Sequence, residues 1–204
     1  MSHARLLLPK PKSSSPSAWR TGPRAWGARC ALLLASVSAL ATSRPTSRDV
    51  QAEEYVGAPF SLSTQTAKAT RRVLVRATAS KPLTRSAEGD AALHVVARWT
   101  PSDPSLPERP WFRISLHSDT PFPPMGDPVV LGNPGEPVVL EAGTPLFGEC
   151  LVDGACEWPL AVDFEVQGNV APGVVEVEWS VTAQAHVVDT DDLPKAFAVE
   201  ISEP

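Results

Sequence analysis

Acidic side chains are missing from residues 1–41, which instead carry Arg5, Lys10, Lys12, Arg20, Arg24 and Arg29. Basic side chains are nearly missing from the other end. After Arg113 only Lys195 remains, while 16 acids lie between Asp119 and Glu203. The apolar run Cys30–Leu40 has 11 residues, well short of the roughly 20 that a membrane-spanning helix needs. There is no Gly-x-Ser-x-Gly elbow, no His-Glu-x-x-His pair and no phosphate-cradling glycine loop. The hydrolase, zinc-protease and nucleotide-binding classes that announce themselves by these motifs are therefore not indicated. Residues 42–204 also show no long helical apolar stripe, which argues against bundles and α/β folds.

The basic start, the short apolar run and the small residues of Ala39-Leu40-Ala41 match a secretory signal with cleavage before Thr42. An acid-free, Arg- and Ser-rich leader also fits an organelle transit peptide. On the signal reading, 1–41 is removed and the product is secreted, periplasmic or cell-envelope associated, with no membrane span. Residues 42–204 keep 12 basic and 23 acidic side chains, a net charge of −11. Nucleic acid is then a poor partner, because phosphate binding needs clustered Lys and Arg. Basic groups concentrate before Arg113 and acids after it. That asymmetry suggests either a dipolar surface for a basic partner or an acidic, soluble surface.

Residues 42–58 are polar and mixed, with Pro45 and Gly57, and are expected to form a flexible tether. From about residue 59 apolar residues recur at every second position, as they do in half-buried strands. Val73-Val75-Ala77, Leu93-Val95-Ala97-Trp99, Phe112-Ile114-Leu116 and Leu160-Val162-Phe164-Val166 are four such sets. The longest runs from Val175 to Val187, and Phe197-Val199-Ile201 closes the chain. Turn-forming Pro and Gly lie between the sets. The pattern predicts one antiparallel β-sandwich of roughly eight strands over 59–204, with an open β-barrel as the alternative. Gly126-Asp-Pro-Val-Val-Leu131 recurs as Gly135-Glu-Pro-Val-Val-Leu140 and reads as two short edge strands. Prolines at 101, 104, 107 and 110 fit the three-residue turn of polyproline II and are expected to form a stiff connector.

Four features are candidates for function. Cys150 and Cys156 flank five residues that include Asp153-Gly154. A three-residue loop ending on Gly154 would oppose the two cysteines and allow a disulfide that clamps a hairpin. Five-residue spacing is not that of redox or zinc motifs. Trp99 and Trp179 share the apolar phase of their strands. Trp111 and Trp158 fall outside the main stripes and are the candidates for a surface that binds a protein or glycan. Asp189, Asp191 and Asp192 place three carboxylates in four residues, the kind of oxygen supply that calcium wants. No other cofactor is indicated. His94, His117 and His186 lie on the polar faces of their strands. Together these features predict an exported structural or binding module without a recognisable catalytic site. One alternative is a secreted inhibitor or adhesin presenting the Cys150–Cys156 hairpin. Another is a hydrolase in which His117 meets an acidic group in a pocket.

Overall fold

A computed structural model describes residues 45–63, 65–81, 85–118, 126–147, 155–168 and 172–204. The chain divides into two units, Met1–Ser43 and Arg44–Pro204; the first lies outside the described residues, and with it the expected signal segment. Every regular element described in the second unit is a strand. In chain order these are β1 Val50–Gln51, β2 Tyr55–Val56, β3 Phe60–Ser63, β4 Lys68–Thr78, β5 Ala87–Pro101, β6 Trp111–Ser118, β7 Val129–Val130, β8 Pro137–Leu146, β9 Ala155–Val166, β10 Gly173–Val187 and β11 Ala198–Ser202.

They form two antiparallel sheets. The first has the order β1-β10-β5-β8, with β2 and β3 also paired to β10; the second runs β11-β4-β9-β6-β7. The fold is the antiparallel β-sandwich expected from the period-two pattern. Alternate residues of the long strands turn inward, as in β5 from Ala91 to Pro101 and throughout β9. The inner faces contribute Val73, Val75, Leu93, Val95, Trp99, Phe112, Ile114, Leu116, Val162 and Phe164, all at most 2% exposed. Apolar burial on this scale is the main force holding the sheets face to face. Phe164 of β9 makes the junction at one side. Its ring lies 5.0 Å from Phe60 of β3 and 5.8 Å from Trp179 of β10, both edge-on, the arrangement that ring quadrupoles favour.

The expected tether over 42–58 is not borne out where it is described. Thr46 bridges Val188, and β1, β2 and β3 then pair in turn along the same side of β10. Val50 faces Ala185, Tyr55 faces Val181 and Phe60 faces Val177. At each break the N-terminal side advances one residue more than β10 does. These are single-residue bulges, and they bend and twist an edge strand. The backbone amides of Ser47, Ala52 and Gly57 donate to Val187, Ala183 and Trp179, at 2.9, 2.9 and 3.1 Å. Five residues of the edge are thus matched to four of β10. Gly57 is required where it stands, because a Cβ there would lie 2.0 Å from the Trp179 ring. The Trp179 indole Nε1 in turn donates to the Ala58 carbonyl at 3.2 Å.

The two copies of the Gly-x-Pro-Val-Val-Leu repeat do become edge strands, but of opposite sheets. The first forms β7 on β6, and the second opens β8 on β5. Gly135, at φ 76°, turns the chain between them, and its amide donates to the Trp99 carbonyl at 2.8 Å. β8 runs ten residues and is not short. The proline connector does not continue one polyproline helix, because Asp103 and Leu106 close a turn within it. The Arg109 guanidinium donates to the carbonyls of Leu106, Glu108 and Gly132, which fastens the connector to the β7–β8 turn.

Candidate functional site

The polar side chains that sequence reasoning left unassigned gather on the outer face of the second sheet. Strand register sets them in rows. Lys68 of β4, Glu165 of β9 and Arg113 of β6 are cross-strand neighbours, as are Thr70, Asp163 and Ser115. Lys68 Nζ lies 2.8 Å from Glu165, and Arg113 pairs with the same carboxylate. Thr70 Oγ1 donates to Asp163 at 2.5 Å, and His117 Nε2 lies 2.9 Å from the other Asp163 oxygen. Gly126, with these rows, borders a shallow cleft of about 320 Å³.

The electrostatics follow from these contacts. Partial burial opposes ionisation of Asp163. The Thr70 and His117 hydrogen bonds and the charges of His117 and Lys68 outweigh it, holding the carboxyl below its ordinary range. The Lys68 hydrogen bond is the largest influence on Glu165. Burial opposes it, and the Arg113 hydrogen bond and the charges of Arg113 and Lys68 add to the lowering of that carboxyl. Charge segregation along the chain thus becomes pairing in space: cations of β4 and β6 flank the acids of β9. The first sheet repeats the device, with Arg98 Nη1 at 2.7 Å from Glu178 and His94 at 3.7 Å from Glu141.

This arrangement brings His117 to an acid, as the hydrolase reading requires. The Thr70 proton is committed to Asp163. Among the described residues no serine, threonine or cysteine hydrogen-bonds His117. Nucleophilic catalysis by this pair would need a hydroxyl or thiol within hydrogen-bond reach of His117. His186 pairs with Asp49 at 2.9 Å on the other sheet, so the described histidines do not converge.

The structure separates the two candidate binding tryptophans. Trp158 is a correction: it is 4% exposed and belongs to the core. β9 begins at Ala155, five residues before the apolar phase becomes obvious, and Trp158 shares that phase with Leu160. Pro159, which disguised the strand, pairs with Leu74 of β4 at a level where β6 no longer runs alongside. Proline is tolerated where one side of a strand is unpaired. Trp111 is half-buried on the outer face opposite Val130, with the Arg113 guanidinium 5.7 Å from its ring centre.

Asp189, Asp191 and Asp192 lie in the connection between β10 and β11, and among the described residues no three His, Cys, Asp or Glu side chains could hold a metal. The expected calcium site is therefore not assembled. Thr190 and Asp192 close a local side-chain turn instead, and Lys81, Arg85 and Lys195 border the same cleft. Cys156 is buried at the head of β9; Cys150 lies outside the described residues. The strands before and after the pair, β8 and β9, belong to opposite sheets. No helix among the described residues is long and apolar enough to cross a membrane.

No protein-family model matches the chain, and no curated protein sequence matches it. Among solved structures, one described as the structure of infectious bursal disease virus Gx strain is similar over 70% of this chain and 40% of its own, at 11% identity and a TM-score of 0.30. The chain thus spans less than half the length of that neighbour, and a likeness at this level carries no functional argument.

Proposed function

We propose that residues 42–204 are the exported part of this protein and act without catalysis, as a structural or binding β-sandwich outside the cytoplasm. The observation that carries this reading is the use of polar side chains on both outer faces. Lys68, Arg98, Arg113, Asp163 and Glu165 are engaged in side-chain pairs across the strands, and among the described residues no serine, threonine or cysteine hydrogen-bonds His117. The leader's basic and apolar pattern supports export. The proposed Cys150–Cys156 bridge suits an oxidising compartment, with a stabilisation on the order of 2 kcal/mol for so short a loop. The partner is a protein or a glycan. The test is the intact mass of the protein from its native source, before and after reduction and alkylation. A mass starting at Thr42, with two thiols appearing only on reduction, supports the reading. A full-length mass with free thiols contradicts it.

A secreted inhibitor or adhesin presenting the Cys150–Cys156 segment is the second reading. It is favoured by Phe147, which is 44% exposed at the base of that segment. Capture of a partner by the native protein, lost in Phe147→Ala, supports this reading, and capture unaffected by that change counts against it.

A further inference from the structure

The outermost strand of a sheet carries unpaired backbone groups, and most edges of this molecule are guarded. β7 has two residues and β11 five, and bulges interrupt the edge formed by β1, β2 and β3. Short and bulged edges resist pairing with another chain. β8 differs. It runs ten residues, Pro137–Leu146, and keeps one unbroken register on β5, from Pro137 opposite Arg98 to Leu146 opposite Gly89. Among the described residues no strand pairs with its other side.

Hydrogen bonds across the sheet fix which groups that side presents. The Ser47, Ala52 and Gly57 amides donate to the carbonyls of Val187, Ala183 and Trp179, so the odd-numbered residues of β10 bond to the bulged edge and the even-numbered ones to β5. Backbone groups alternate sides along an antiparallel ladder. By register, the odd residues of β5 then bond to β8, and the even residues of β8 answer them. The odd residues of β8 face away. Proline cannot donate to a ladder, and it occupies this phase at both ends, as Pro137 and Pro145. Between them the N–H and C=O groups of Val139, Glu141 and Gly143 point away from β5. Val139 is 57% exposed on the outer face, and the Glu141 side chain is 80% exposed. A cleft of about 520 Å³ adjoins the strand from Glu141 to Pro145; Asp90 and Asp127 also border it and, among the described residues, no lysine or arginine does.

We propose that the free edge of β8 receives an extended segment of a partner protein as an added antiparallel strand, with basic side chains beside Glu141 and an apolar one beside Val139. Main-chain bonds to Val139, Glu141 and Gly143 attach such a strand, and the cross-strand side-chain pairs select it. A second copy of this chain suits the edge poorly, because it would bring its own Glu141, Asp90 and Asp127 against the same acids. This edge site rests on the binding role proposed above and names the partner's chemistry. Peptide binding is read on the purified chain, so its failure is told apart from a failure of export, which mass reads.

The experiment is a titration of the full chain with blocked seven-residue peptides, followed by amide shifts and amide hydrogen exchange in heteronuclear NMR. One peptide alternates valine and lysine, and a second alternates valine and glutamate. A third keeps the lysines but has proline at the two inner valines, which prevents strand pairing. The first is expected to saturate, with shifts centred on Val139, Glu141 and Gly143 and slowed exchange of those amides. The other two are expected to bind at least about tenfold more weakly. Glu141→Pro removes an outward N–H and the charge but no bond to β5, in a phase that already holds Pro137 and Pro145. It should weaken the lysine peptide at least about tenfold, with the melting temperature as the folding control. Glu141→Gln keeps the backbone donor and should weaken it about threefold. Shifts that never saturate, equal binding of the lysine peptide and either other peptide, or binding unchanged in both variants would overturn the proposal. Slowed exchange of the same amides on raising protein concentration alone, with a dimer in sedimentation, would overturn it too and assign the edge to a second copy.

Discussion

β10 has two neighbours, and they hold it differently. On one side β5 matches it residue for residue over 15 positions, from Gly173 opposite Pro101 to Val187 opposite Ala87. On the other side residues 46–63 follow the same strand with one extra residue at each of three breaks. The regular side repeats inward every two residues. The bulged side turns inward at 47, 50, 52, 55, 57, 60 and 62, a spacing that alternates between three and two. The same strand thus supports a continuous ladder and an interrupted one. The difference shows how an outer strand can be kept short, twisted and unattractive for pairing with other chains.

The largest effect is expected on the regular side. Trp99→Ala empties a fully buried site in β5 and should cost about 3–5 kcal/mol, read from denaturant unfolding. On the bulged side, Gly57→Ala drives a methyl into the Trp179 ring and should cost about 1–3 kcal/mol. A cost under about 0.5 kcal/mol would mean that the edge strand is not packed on Trp179. Smaller still is Tyr55→Phe. The Tyr55 hydroxyl donates to Glu203 at 2.6 Å, tying the edge of one sheet to the tail beyond β11. Its loss should cost about 1 kcal/mol. The Glu203 hydrogen bond also raises the Tyr55 pKa above its ordinary value. Spectrophotometric titration should therefore find this single phenol ionising late.

The smallest effect concerns Asp163, away from β10. Its folded pKa is lowered, so it contributes stability above its unfolded pKa and loses that contribution as pH falls through the folded value. Asp163→Asn should flatten this part of the acid limb while changing stability at neutral pH by no more than about 1 kcal/mol. An acid limb unchanged in the variant would place the linkage elsewhere.

The strands that were legible share one property: their phase is unbroken. β4, β5, β6, β9, β10 and β11 each keep period two across their inward-facing apolar residues, so hydrophobic alternation located them. Residues 46–58 were illegible because every bulge resets the phase. Their signal is a five-residue repeat, Ser47-Ala52-Gly57-Leu62 interleaved with Val50-Tyr55-Phe60. Trp158 had a legible phase, shared with Leu160, but the proline between them concealed it. The charge asymmetry was visible along the chain, whereas its pairing across β4, β9 and β6 depends on strand order, which alternation does not specify.

Native-state hydrogen exchange, resolved by residue, tests the two-sided account of β10 most directly. Protection of the Ser47, Ala52 and Gly57 amides, each above its exposed neighbours Arg48, Glu53 and Ala58, is the predicted result. Fast, uniform exchange from residue 45 to residue 58 would contradict it and restore this segment to a tether.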